Sequence, residues 1–96
     1  MKLSTSEIDA GLSTLPGWSR QGDALTRKFT FKGFPDAIAF VTRLAFDAEA
    51  ADHHPDLLVS YKRVTVTWTT HDAGGITKKD LEGARQAEKI ASLLCA

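Results

Sequence analysis

Residues 53–69 read HHPDLLVSYKRVTVTWT, and their pattern decides the fold. Leu57, Val59 and Tyr61 recur at every second position, and Val64, Val66 and Trp68 then do the same against Thr65, Thr67 and Thr69. A period of two, rich in β-branched and aromatic residues, describes strands with one buried face. The two runs meet around Tyr61, Lys62 and Arg63, close enough to form a hairpin. At the upstream end, Pro55 pushes His54 out of the α region, so a helix arriving from the N-terminal side is interrupted at His53 and His54.

That helix is expected from Gly33 and Pro35 to about Ala51, with Phe34, Ile38, Val41, Ala45 and Ala48 as its apolar stripe at helical spacing. Before it, Leu25, Phe29 and Phe31 share one parity while Thr26, Lys28 and Thr30 take the other. With a turn at Gln21, Gly22 and Asp23, residues 18–31 read as another hairpin. Ser4 and Glu7 have capping-box spacing and Leu3 and Ile8 staple spacing, so a first helix carries Ile8, Leu12 and Leu15 and ends at Pro16 and Gly17. Thr77 with Asp80, and Ile76 with Leu81, repeat both devices. They start a last helix bearing Ala84, Ala87, Ile90, Ala91 and Leu94.

The order is α-β-β-α-β-β-α. Hairpins make antiparallel pairs, so the economical packing is an α+β domain: one four-stranded antiparallel sheet with three helices on one face. Residues 1–96 form a single domain in this reading, without linker, repeat or low-complexity tract. The threonine-rich faces turn toward solvent or a second subunit, and two free sheet edges make pairing into a homodimer an expectation.

Composition narrows the function. The 96 residues carry 12 basic and 12 acidic side chains, a formal charge of zero, so bulk electrostatics give no reason to expect a nucleic-acid partner. A chain of this length buries about 64% of its unfolded surface, enough for one core without staples. The single cysteine, Cys95, has no partner for an internal disulfide and reads as a small buried or helix-end side chain, consistent with a reducing compartment. No apolar run has the length of a secretory core or a membrane helix. The expectation is a cytoplasmic protein that does not enter membranes.

The chemistry-bearing residues cluster at element boundaries. His53 and His54 follow the second helix, His71 ends the fourth strand, and such boundaries are where sites are built on a rigid scaffold. Glu49 lies one turn before His53, able to orient or charge an imidazole or to remain a solvated helix-end carboxylate; Asp52 is adjacent. Imidazole, with an unperturbed pKa of about 6.5, serves as acid or base near neutrality, which points to elimination or isomerisation. No nucleophile elbow and no phosphate-binding glycine loop is present. Three histidines also suit zinc with an open position, but adjacent histidines on an extended segment point to different sides, which hinders joint ligation.

Glu49, three residues, His53, His54, Pro55, five residues, Tyr61, nine residues, His71, eight residues and Asp80 together resemble the signature of the pterin-4a-carbinolamine dehydratases, also known as dimerisation cofactors of hepatocyte nuclear factor. Gly17, Trp18 and the order of elements resemble the family as well. The resemblance implies a cofactor-free dehydratase, forming dimers or tetramers, that converts 4a-hydroxytetrahydropterin to quinonoid dihydropterin in tetrahydrobiopterin recycling. It assigns acid and base work to His53 and His71 without saying which does which, pterin holding to His54, and support of the cluster to Glu49. Pro55, Thr70, Asp72 and Ala73 would line the pterin pocket. Trp18 would either close it or serve as a core aromatic. Tyr61 reads as a hairpin anchor, and Asp80 as the capping partner of Thr77 rather than a catalytic group. Family members that stabilise transcription-factor dimers supply the rival reading, a binding module using the last helix, although packing on the sheet already accounts for that helix's apolar stripe.

Overall fold

The computed structural model describes residues 1–94; Cys95 lies outside them. The elements run α1 (Thr5–Leu12), β1 (Ser19–Gln21), β2 (Ala24–Thr30), α2 (Phe34–Ala51), β3 (Asp56–Ser60), β4 (Arg63–Trp68), a one-turn 3-10 helix (His71–Ala73) and α3 (Lys78–Leu93). This is the expected order, with the 3-10 turn added. All neighbours in the sheet are antiparallel, in the order β1-β2-β4-β3. The two hairpins therefore join through β2 and β4, leaving β1 and β3 as edges.

Register explains which face is buried. Leu25 sits opposite Trp68 and Phe29 opposite Val64, while Val59 sits opposite Val64 and Leu57 opposite Val66. Since alternate residues share a face, these side chains form one apolar surface on which α2 and α3 pack. Phe40 of α2 is fully buried, its ring 5.0 Å from both Phe29 and Phe31. The opposite face is polar: Thr26 meets Thr67 and Lys28 meets Thr65, with the exposed Leu58 its one large apolar residue.

The stripe of α2 is rotated relative to the sequence expectation. Its buried residues are Ala37, Phe40, Leu44 and Ala48, whereas Phe34 and Ile38 are exposed, Ala45 is exposed and Val41 is partly buried. Both series obey helical spacing, and the helix is apolar around much of its circumference, so periodicity alone did not choose between them. The sheet did, by offering Phe29 and Phe31 to Phe40. The apolar stripe of α3, by contrast, is spent inside the chain: Leu81, Ala84, Ala87, Ile90 and Ala91 are all buried. What exposed apolar surface the helices carry lies chiefly on α2, where Phe46 is 71% exposed.

Two glycines set the close approach of α3 to its neighbours. A Cβ at Gly83 would stand 2.6 Å from Cε2 and Cζ2 of Trp68, and one at Gly11 would stand 2.7 Å from Leu81. Gly83 thus lets α3 lie directly against the indole at the end of β4, next to the histidines.

Candidate active site

The C-terminus of α2 delivers the first histidine. Asp52 takes the left-handed conformation (φ 52°, ψ 42°), its N–H bonds the carbonyl of Glu49, and the N–H of His53 reaches back to the carbonyl of Ala48 at 3.1 Å. This is the paired 6→1 and 5→2 arrangement of a Schellman cap. It reverses the chain sharply, so that the His53 ring stacks on Trp68 with centroids 5.4 Å apart and planes at 21°.

The N-terminus of α3 supplies its partner. Thr77 and Asp80 form the expected capping box, with Thr77 N–H donating to Asp80 Oδ2 at 2.8 Å. Thr70 Oγ1 donates to the same oxygen at 2.8 Å, and Asp80 Oδ1 stands 2.6 Å from His53 Nε2. The carboxylate is 0% exposed, and a buried anion needs such partners to offset its lost hydration. Because Thr70 gives its proton to Asp80, it accepts from the Thr77 hydroxyl, 2.9 Å away; Thr77 Oγ1 accepts in turn from Lys79 N–H. Both hydroxyls of this Thr77–Thr70–Asp80 relay are committed to one direction. An acceptor-only carboxylate at the end makes His53 Nε2 the donor, and the neutral ring then keeps its lone pair on Nδ1.

His54, one residue on, is exposed, and its Nε2 lies 2.8 Å from Glu49 Oε1, also exposed. His71 sits on the 3-10 turn, closed below by paired hydrogen bonds between Thr70 and Gly75 and allowed to turn by Gly74 at φ 74°. His53, His54 and His71 converge on one cleft of about 280 Å³, lined also by Asp52, Thr69, Thr70, Asp72 and Lys79. Of the other residues singled out from sequence, Glu49 touches His54 from outside the cleft, and Pro55 and Ala73 are not among its lining residues. Among the described residues no group of three or more His, Cys, Asp or Glu side chains converges in a way that could hold a metal ion.

Of the two readings of Trp18, the structure gives the core aromatic. It is buried in the core, its ring edge-on to Phe29 at 6.0 Å, and its Nε1 donates to Glu88 at 2.7 Å. Glu88 also pairs with Arg27, and Trp18 is not among the residues that line the histidine cleft. Conversely, sequence reasoning set Asp80 aside as a helix cap, and the structure gives that one side chain both contacts. Trp68 and Lys79 were passed over as well. The parity of Trp68 placed it on the buried face, but its position under His53 depends on the left-handed reversal at Asp52, which the break before Pro55 does not announce.

The cleft thus presents one imidazole of fixed tautomer, anchored by a buried carboxylate, and two solvent-facing imidazoles across a small hollow. That set can give and take protons on a single bound ligand. Comparison with known proteins gives the family. A family profile described as Pterin 4 alpha carbinolamine dehydratase matches residues 1–90. A protein of Thermosynechococcus vestitus, provisionally named pterin-4-alpha-carbinolamine dehydratase, is 53% identical over 90 residues, covering 94% of this chain and 95% of its own. One of Roseiflexus sp. with the same provisional name is 49% identical over 93% and 96% of the two chains. The crystal structure of a transcriptional coactivator/pterin dehydratase from Brucella melitensis superposes with a TM-score of 0.92 at 40% identity, over 95% of this chain and 99% of that one. A pterin dehydratase-like protein described as a RuBisCO assembly factor shares the fold, with a TM-score of 0.67 at 23% identity over 78% and 89%. With the profile spanning nearly the whole length and the histidines of the sequence signature gathered around one cleft, the chain belongs to the pterin-4a-carbinolamine dehydratase family.

Proposed function

We propose that this chain is an active hydro-lyase that converts 4a-hydroxytetrahydropterin to quinonoid dihydropterin and water, the step that returns an oxidised pterin to the tetrahydrobiopterin cycle. The observation that carries the reading is the convergence of His53, His54 and His71 on one cleft, with His53 held by the buried Asp80. In the reaction the C4a–O bond breaks, the N5–H bond breaks and a C4a=N5 double bond forms. The hydroxyl needs a proton to leave as water, and N5 needs a base, so two proton-carrying groups must face one ligand.

His53 and His71 are the groups we assign to that exchange, with His54 holding the ring. Asp80 is a positioning residue in this scheme: it fixes the tautomer of His53 and pairs with the positive charge when that ring takes a proton, as a buried carboxylate does behind a general-base histidine elsewhere. Glu49 orients His54 in the same manner from the surface. Thr70 and Asp72 line the cleft; the hydroxyl of Thr70 is taken up by Asp80 and Thr77, so Asp72 is the one that offers a polar group to the pterin edge.

The experiment is stopped-flow decay of enzymatically generated 4a-hydroxytetrahydropterin with chelator-treated wild type, His53→Ala and His71→Ala. Acceleration by the wild type that both variants lose supports the reading. No acceleration by a folded wild type would falsify it. A second reading, a binding module, draws on the exposed Phe34, Ile38 and Phe46 of α2, an apolar surface suited to a second copy of the chain or to another protein. The free β3 edge adds a route to a homodimer. Retention of the biological role in a variant lacking all three histidines would favour that reading over the enzyme.

A further inference from the structure

Tyr61 belongs to the sequence signature but does not line the histidine cleft of its own chain. It takes the left-handed region at φ 55°, a costly conformation for a bulky residue, and it is 63% exposed. Lys62 Nζ, 6.0 Å from the centre of its ring, stands at the limit of a cation–π contact. A second anomaly lies three residues away. Leu58 is 66% exposed, the one large apolar residue on the polar face of the sheet. Both lie on or beside β3, whose outer edge is free.

Register tells which backbone groups that edge presents. Phe31 N–H donates to Lys62 O at 2.8 Å, so Lys62 bonds toward β2. Because the direction alternates along an antiparallel strand, Val64 and Val66 follow Lys62, while Arg63, Thr65 and Thr67 bond toward β3. Their partners there are Ser60, Leu58 and Asp56. Leu57 and Val59 therefore turn their N–H and C=O groups to the free edge, a row of unpaired groups suited to another strand.

Few antiparallel registers bring two copies of this edge together across a two-fold axis. With Leu58 opposite Leu58, Leu57 of each copy exchanges both hydrogen bonds with Val59 of the other, and all the outward N–H groups find carbonyls. Sliding one way sets Val59 against Pro55, which has no N–H; sliding the other way leaves Leu58 facing Ser60. The first register alone seats the two exposed leucines on one another, at a position without hydrogen bonds, where opposed side chains come closest. It also places the partner's Tyr61 opposite Pro55, beside the exposed His54 that lines the cleft. We propose that two copies of this chain pair β3 to β3 about Leu58, and that each delivers Tyr61 to the rim of the other's histidine cleft, where its ring walls the pterin on the His54 side. The role of Tyr61 toward a pterin rests on the dehydratase reading, and the pairing rests on the fold alone.

Cross-linking tests the register, and mixing tests the site. Opposed residues at a position without hydrogen bonds have Cα atoms about 4.5 Å apart, within the span of a disulfide. In a Cys95→Ser background, Leu58→Cys is expected to oxidise to a covalent dimer. Asp56→Cys, about 13 Å along the strand from its counterpart in this register, should stay single on a denaturing gel. Both positions are exposed, so neither change should unfold the chain. Tyr61→Gly suits the positive φ and keeps the dimer, while its kcat/KM for a 4a-carbinolamine should fall roughly two- to twelvefold, the loss of one aromatic contact. His53→Ala lacks the anchored imidazole but still carries Tyr61. Co-expressed, these two variants rebuild one intact site per mixed dimer, with His53 from one chain and Tyr61 from the other, so the mixture should turn over faster than the mean of its parents. A mixture at that mean, or a Leu58→Cys chain that does not cross-link, overturns the proposal. If Leu58→Cys cross-links while the folded wild type accelerates no carbinolamine, the pairing stands and the dehydratase reading is what fails.

Discussion

Replacing Asp80 by Asn separates the two contacts of this carboxylate and tests whether it sets His53. The Asn carbonyl can take over Oδ2 and still accept from Thr77 N–H and Thr70 Oγ1, so the helix cap survives. The amide nitrogen then faces His53 Nε2, where a donor replaces an acceptor at 2.6 Å. His53 must either lose the contact or shift its proton to Nδ1, which removes the free lone pair. A hydrogen bond involving a charged group contributes about 1.5–3 kcal/mol, so kcat should fall roughly 10- to 150-fold at 1.4 kcal/mol per decade. The same loss lowers the melting temperature by roughly 6–24 °C in a domain of this size, and rates must be compared well below the variant's own transition. Stopped-flow carbinolamine decay gives kcat, and imidazole nitrogen NMR reports which ring nitrogen carries the proton. A variant that is folded, turns over within twofold of wild type and keeps its proton on Nε2 would refute the positioning role of Asp80.

Three further outcomes follow from named contacts. Gly83→Ala should destabilise the chain by about 1–3 kcal/mol through overpacking, despite alanine's helix advantage of about 1 kcal/mol, because its Cβ would stand 2.6 Å from Trp68; unchanged urea denaturation would contradict this. Asp52→Gly should raise the melting temperature by a few degrees, since glycine relieves a left-handed residue of a steric cost of about 1 kcal/mol, and an unchanged or lower value would count against a strained cap. Hydrogen bonds with the backbone and then the hydroxyl of Ser4 hold the carboxyl of Glu7 below the ordinary carboxylate range, with Lys78 adding a smaller pull the same way. The folded value being the lower one, the stabilisation is complete at neutral pH and disappears as pH falls through that lowered value. Glu7→Gln should accordingly narrow the difference in melting temperature between pH 7 and pH 3; an equal difference in both proteins would sink the idea.

Local signals read well where one residue sees its neighbours along the chain. The period of two at Val64, Val66 and Trp68, the boxes at Ser4 and Thr77, and the break before Pro55 all reappear in the structure because strand parity, helix capping and proline sterics act within a few residues. The buried face of α2 was not legible, since Phe34, Ile38 and Val41 satisfy helical spacing as well as Ala37, Phe40 and Leu44 do. Which of its two readings Trp18 takes was not legible for a related reason: its hydrogen-bond partner, Glu88, lies seventy residues away. Asp80 shows the limit most clearly. Its capping role was visible three residues from Thr77, while its contact with His53 spans twenty-seven, and a complete local explanation concealed the distant one.

That double use of Asp80 makes formation of the site inseparable from docking of α3. His53 arrives from the end of α2, Thr70 from the end of β4 and Asp80 from the first turn of α3, so the network closes only when three segments distant in sequence meet. The capping box can form in an isolated helix, which brings Asp80 to its rotamer before any tertiary contact exists. Docking then has only to place an already oriented carboxylate under an already reversed His53, whose own direction is fixed by the cap of α2. Gly83 sits one turn along from Asp80 and controls how closely α3 approaches Trp68, on which His53 stacks. A bulkier residue there should disturb the His53–Asp80 pair as well as the core. Gly83→Ala is accordingly expected to lose activity at temperatures where it remains folded, and full turnover by the folded variant would show that the pair tolerates displacement of the helix.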